Sequence, residues 1–341
     1  MTAPPGHPII PSPHIGSPRI GVLLVNLGTP DAPTPGAVRR YLRQFLSDPR
    51  VVEIPQIVWQ PILRGIILTT RPRKSAHAYA QIWTEHGSPL AVHSAAQAQG
   101  LQARYGDTIL VRHAMRYGRP ALDEAMLAMR EQGCERILLA PLYPQYCAAT
   151  TASAIDALCD ALAKMRWQPS VRTLPPYYDH PAYIEALAES VREALGSLDF
   201  APDHLLASFH AMPLRTLELG DPYHCHCQKT ARLLSEALGR PVGIAFQSRF
   251  GRAKWLGPAT DAEFKRIANS GAKALAVIAP GFSADCLETL EELNIRGRHD
   301  FLAAGGERFA YIPCLNASER AIAMLKALID RELSGWEPGK A

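Results

Sequence analysis

Short apolar runs that stop at glycine or proline alternate along this chain with longer segments of helical period. Residues 20–27 form one such run and close on Gly28-Thr29-Pro30; residues 108–114 and 136–142 form two more, the last leading into Tyr143-Pro144. Residues 36–45 and 122–132 carry the helical period. The plan repeats: residues 204–208, 242–247 and 274–279 are apolar, and residues 181–195, 227–238 and 262–269 read as helices. Strands covered on both faces lose the in–out alternation and read as continuous apolar runs. Alternation with helices predicts βαβ units and parallel pairing. The expected fold class is α/β, in two doubly wound halves.

The length agrees, since single cores stop growing at about 250–300 residues and this chain has 341. We expect a proline-rich disordered tail over 1–18, a first half over 19–168 and a second over 169–315, hinged near 165–172. An amphipathic helix over 317–333 is expected within a closing segment, 316–341. The tail holds six prolines but neither a basic start nor an apolar stretch of leader length. It reads as neither signal nor transit peptide, so the cytoplasm is the expected compartment. No apolar run approaches the ~18 residues of a membrane span. The net charge of +4 is too small to argue for nucleic acid. Seven cysteines in no framework spacing are expected as reduced thiols.

The chain carries no G-x-x-x-x-G-K-[ST], no G-x-G-x-x-G after the first run, no G-x-S-x-G and no C-x-x-C. Nucleotide phosphate loops, a nucleophile elbow and a zinc ribbon are thereby disfavoured. In open α/β sheets ligands bind beyond the carboxyl ends of strands, which directs attention to residues 28–30, 143–151, 208–213, 248–255 and 281–292. His210 ends one strand and reads either as a general base or as a packed core histidine. Asp285 and Glu288 read as a capping box at a helix start. Alternatively, Glu288 and Glu292, four apart on one face, form a carboxylate pair for a cation or a proton. His224-Cys225-His226-Cys227 has no standard metal spacing and reads as a solvated helix start. Residues 51–68 are apolar, with Trp59 and two prolines, and precede Arg71-Pro72-Arg73-Lys74. They form either a core helix or an amphipathic lip for a flat ligand or a membrane face.

Six blocks in order resemble the ferrochelatases. They are residues 21–30 (GVLLVNLGTP), Pro144-Gln145-Tyr146, residues 208–213 (SFHAMP), Gly220-Asp221-Pro222-Tyr223, the run from Phe246 to Pro258, and residues 285–292 (DCLETLEE). The resemblance implies Fe(II) insertion into protoporphyrin IX between two Rossmann-like halves, with the final helix packed back on the first half. It implies a lyase acting in haem biosynthesis, with Fe(II) as substrate and no permanently bound cofactor. His210 then corresponds to the proton acceptor or metal contact. Glu288 matches the carboxylate across the cleft, with Glu292 and Asp285 behind it. Arg116, Tyr117, Tyr143 and Trp255 match pocket positions, and Ser88, Arg71 and Lys74 match positions near the mouth. Leu27 stands where relatives that metallate coproporphyrin III carry tyrosine, which favours the protoporphyrin branch. Related cobalt or nickel chelatases and a non-enzymatic tetrapyrrole binder are the alternatives. Some members hold a [2Fe–2S] cluster, but here Ala148 occupies the first ligand position and no cysteine follows Cys314, so no cluster is expected. A monomer is expected, in passing contact with a membrane surface or the preceding haem-pathway enzyme.

Overall fold

The computed structural model describes residues 19–251 and 253–336; the expected tail over 1–18 and the last five residues lie outside them. The first half opens with β1 (Arg19–Gly28), α1 (Pro35–Leu46), α2 (Gln56–Ile62), a π-helix π1 (Leu63–Ile67), α3 (Leu68–Ile82) and α4 (Pro89–Tyr105). It continues with β2 (Ile109–Tyr117), α5 (Leu122–Glu131), β3 (Cys134–Pro141), a second π-helix π2 (Ala148–Ala152), α6 (Ser153–Ala163) and β4 (Ser170–Thr173). The second half holds α7 (Pro181–Gly196), β5 (His204–His210), α8 (Leu214–Glu218), α9 (Tyr223–Leu238), β6 (Gly243–Gln247), α10 (Thr260–Asn269) and β7 (Ala274–Ile278). It ends with a third π-helix π3 (Glu288–Gly297), α11 (Arg298–Ala303), β8 (Arg308–Ile312) and α12 (Glu319–Leu333).

Both sheets are wholly parallel and share one topology, β2-β1-β3-β4 and β6-β5-β7-β8. The chain reverses its winding direction beside the first strand of each, which opens a crevice at the carboxyl ends of β1 and β3 and of β5 and β7. Two strands were not expected. β4 overlaps the end of the stretch read as a hinge and forms the edge of the first sheet, paired with β3. β8 pairs with β7. β4 is mostly polar and β8 leaves only four apolar residues after Arg308, so neither produces a long apolar run.

The strands show why the runs are continuous. Val22 and Leu24 of β1 face a core shared with α4, α7, α9, α12 and the facing strands of the second sheet. Leu23 and Val25 face a separate core beneath α5 and α6. Leu206, Leu275 and Val277 pack the outer core of the second sheet against α10 and α11. The final helix, α12, buries Ile322, Leu325, Leu328 and Ile329 in the shared core. A Cβ on Gly100 of α4 would stand 2.9 Å from Ile322 Cδ1, so the two helices meet closely there.

The chain leaves β1 at Gly28, where φ is +110° and a Cβ would lie 1.7 Å from Tyr117 O. Only glycine fits at this turn into the crevice. Gly28→Ala is therefore expected to cost about 3 kcal/mol of stability. Gly36→Ala, in α1 with open space around it, should be neutral or stabilising by about 0.5–1 kcal/mol. Urea unfolding of both variants checks the pair; equal midpoints would contradict this packing.

Candidate active site

The loops beyond β1, β3, β5 and β7 converge between the halves. Asn26 donates to Ser94 Oγ at 3.1 Å and, across the halves, to Ser283 Oγ at 3.4 Å. Gln97 Nε2 donates to the carbonyls of Ser283 and Asn316, at 3.2 and 2.8 Å. Beyond β3, Gln145 Nε2 donates to Thr230 Oγ1 at 3.0 Å. The backbone N–H groups of Tyr146 and Ala148 donate to His226 Nδ1 and Asp221 Oδ2. His226, stacked on Tyr178 with centroids 3.6 Å apart, is thus a structural strut, while Cys225 is exposed and Cys227 is buried. Among the described residues no cluster of three or more His, Cys, Asp or Glu side chains is arranged to hold a metal.

The first-half wall is aromatic. Tyr41 of α1, Tyr79 of α3 and Tyr117 of β2 share one apolar cluster with Trp59 and Leu63, and Leu27, Leu287 and Leu290 pack against it. Burial pushes the hydroxyl pKa values of Tyr41 and Tyr79 well up, and the nearby Glu288 charge raises both further. Glu288 of π3 therefore faces this wall. Beneath it sits Asp48, which accepts hydrogen bonds from Arg116 Nη2 at 2.6 Å, Tyr117 Oη at 2.8 Å and Ser153 Oγ at 2.7 Å. Arg116 also donates to Ser153 O and lies over the Tyr117 ring, 4.6 Å from its centroid. Tyr143 is buried, and among the described residues no partner reaches its hydroxyl.

The second-half wall carries the titratable groups. His210 Nδ1 lies 2.7 Å from Ala211 O. A carbonyl only accepts, so Nδ1 holds a proton, and in the neutral tautomer Nε2 is the nitrogen with the free lone pair. The neighbouring Trp255 donates from Nε1 to Phe250 O at 3.0 Å. Its ring meets Phe250 at 4.9 Å, and the Arg71 guanidinium of α3 reaches over Phe250 from the first half. Glu288 and Glu292 share π3, a helix form frequent at functional sites. Burial pushes the Glu292 carboxyl up from its ordinary value, against the opposing pull of Ser248, Arg296 and His210. Burial also drives the Cys286 thiol well up, so it stays protonated beside Glu288.

The capping box is not formed. The helix begins at Glu288 rather than beside Asp285, and the Asp285 carboxylate turns into the second half. There it accepts from Tyr311 Oη at 2.6 Å, Asn316 Nδ2 at 2.7 Å, Thr289 Oγ1 at 3.0 Å and Cys314 N at 3.4 Å. A buried carboxylate needs that many donors, and they outcompete a helix start. Ser88 is buried rather than at a surface, hydrogen-bonded to Thr29 Oγ1 at 2.8 Å, and Lys74 is exposed on α3. Residues 51–68 are amphipathic: Trp59 and Leu63 face inward, while Ile57 and Ile66 are 86% and 58% exposed. Sequence reasoning missed Asp48, Tyr41, Tyr79 and Ser153, which sit on ordinary helices and a loop with no motif.

The family model for ferrochelatase matches residues 19–333. The chain belongs to the ferrochelatase family. It is 51% identical to the ferrochelatase of Rhizobium meliloti (strain 1021), over 95% of this chain and 98% of that protein. It is 52% identical to that of Azoarcus sp. (strain BH72), over 96% and 91%. Among solved structures it is similar in fold to SirB from Bacillus subtilis with Fe3+, at a TM-score of 0.55 and 12% identity, over 94% and 99% of the two chains. In this ferrochelatase-family chain, hydrogen bonds from Ser153, Tyr117 and the Arg50 backbone N–H, with the Arg116 charge, outweigh burial and hold the Asp48 carboxyl below its ordinary value. Its stabilising effect is present above the ordinary aspartate range and is lost as pH falls through the lowered folded value. Asp48→Asn should cost about 1–3 kcal/mol at pH 7. Its deficit against the parent protein should shrink on acidification below about pH 4, as read by unfolding across pH; a pH-independent deficit would contradict this.

Proposed function

We propose that this chain inserts Fe(II) into protoporphyrin IX to form protohaem, in the lyase reaction that gives the family its name. The observation that carries the reading is the state of His210. Its Nδ1–H is committed to Ala211 O, which leaves Nε2 as an acceptor beside the glutamates of π3. Metallation releases two pyrrole protons as Fe(II) enters, so the site needs bases. Nε2 of His210 and the carboxylates of Glu288 and Glu292 are of that kind. Nitrogen and carboxylate donors without thiolates also suit a transient Fe(II) visitor, which must leave for the macrocycle. On this reading His210 and Glu288 touch the metal, and Glu292 takes protons onward. Asp285 holds the loop that sets Glu288.

Leu27, Tyr143, Arg116 and Trp255 form the apolar and polar lining for a flat macrocycle, backed by the fully buried Tyr117, and Arg71, over Phe250, stands at its edge. Ser88 acts through Thr29, and Lys74 lies outside. Leucine at 27 favours protoporphyrin over coproporphyrin III. The reading includes no iron–sulfur cluster, because Ala148 stands at the first ligand position and no cysteine follows Cys314.

Purified protein given Fe(II) anaerobically should form haem faster from protoporphyrin IX than from coproporphyrin III, followed by absorbance. His210→Ala should lower the rate by about 10²-fold or more while still binding porphyrin. Faster reaction with coproporphyrin would overturn the Leu27 assignment. Undiminished metallation by His210→Ala would overturn that of His210.

We further read the chain as a cytoplasmic monomer that touches a membrane through the lip. No helix among the described residues is long and apolar enough to cross one. Ile54, Ile57, Val58, Ile62 and Ile66 are exposed together, and beside them Arg39, Arg40, Arg43 and Arg64 line a cavity of about 740 Å³. Aliphatic side chains flanked by arginines match an interfacial element for anionic lipid. The protein should float with phosphatidylglycerol vesicles at low salt and be released at high salt. Absence of flotation at low salt would contradict the contact.

A further inference from the structure

Ser248 is the first residue beyond β6, and it has φ +66°. This left-handed conformation is uncommon outside glycine and costs free energy for a side chain that does not need it. The conformation has a visible consequence. Gln247 and Ser248, consecutive in the chain, both turn toward π3. Gln247 Nε2 donates to the Glu288 carbonyl at 2.8 Å, while its own Oε1 accepts from Ser208 Oγ at 2.6 Å. Ser248 engages both oxygens of Glu292: its backbone N–H donates to Oε1 at 2.8 Å and its hydroxyl to Oε2 at 2.5 Å.

We propose that Ser248 is a positioning residue for the reaction, which fixes the Glu292 carboxylate by a two-point clamp so that it receives the proton leaving the site. The inference rests on the reading of Glu292 as a proton acceptor. Arg296, the basic group nearest the same carboxylate, is 3.8 Å away and mostly solvent-exposed, so it is a weaker constraint. A carboxylate on a half-buried helix face otherwise has several rotamers open to it, and proton transfer demands one geometry. The backbone donor alone would leave one oxygen unheld. The hydroxyl supplies the second point, which explains why serine rather than glycine occupies a left-handed position.

Ser248→Gly tests this directly, because glycine accepts φ +66° without strain and keeps the backbone donor. We expect kcat for Fe(II) insertion to fall about ten-fold to a hundred-fold, the effect of losing one hydrogen bond to a charged acceptor. KM for porphyrin and for Fe(II) should be unchanged. Combined with Glu292→Gln, Ser248→Gly should add no further loss, since the clamp then has no carboxylate to hold. Parent-like kcat in Ser248→Gly would overturn the proposal. So would losses that multiply in the double variant, or a rise in KM that accounts for the loss of rate. Parent-like kcat in Glu292→Gln would instead remove the assignment of Glu292, and this role with it.

Discussion

The architecture depends on a buried set of polar ties between strand ends. Two parallel sheets with the same β2-β1-β3-β4 winding could pack in many ways through their apolar faces, because hydrophobic burial is not directional. Asn26 to Ser283, Gln97 to Ser283 and Asn316, and Gln145 to Thr230 select one. A buried amide or hydroxyl without its partner costs about 1–3 kcal/mol, so each tie penalises any other docking. The result brings the two crevices together, where neither half alone would enclose a flat ligand.

Each wall is then held from behind by one carboxylate that faces away from the cleft. Asp48 holds Arg116 and Tyr117 in the first half. Asp285, with four donors, holds the loop leading into π3 in the second. The oxygens of these buried acids are spent on protein donors, which fixes the neighbours they hold. The groups proposed to react are poised differently. His210 has one nitrogen committed and one open, and Glu292 is buried enough to raise its proton affinity while Ser248 holds it in place.

The central strands of both sheets were legible because each is buried on two faces and therefore continuous in sequence. β4, with the sequence SVRT, and β8, with RFAYI, pair at sheet edges and carry arginine or serine, so periodicity passes over them. The strand-end rule directed attention to the loop starting at Ser248 without showing its conformation, since a positive φ at serine leaves no mark in the sequence. The pair Glu288 and Glu292 was visible as a spacing, but the π-helix was not. A local capping pattern at Asp285 pointed to an ordinary start, and tertiary donors from Tyr311 and Asn316 overrode it. Tyr41 and Tyr79 looked like core residues of amphipathic helices, which they are; only the approach of π3 makes them part of a wall.

The central claim is that one macrocycle lies between the halves, with His210 Nε2 and the π3 glutamates directed at its centre. The most direct measurement is a crystal structure of the Glu288→Gln variant grown anaerobically with protoporphyrin IX. The account predicts the ring between the Leu27–Tyr143 wall and π3, with the open Tyr143 hydroxyl at its edge and His210 Nε2 facing the pyrrole nitrogens. A ring bound on the outer face of the lip, or one with His210 turned away from its nitrogens, would contradict it.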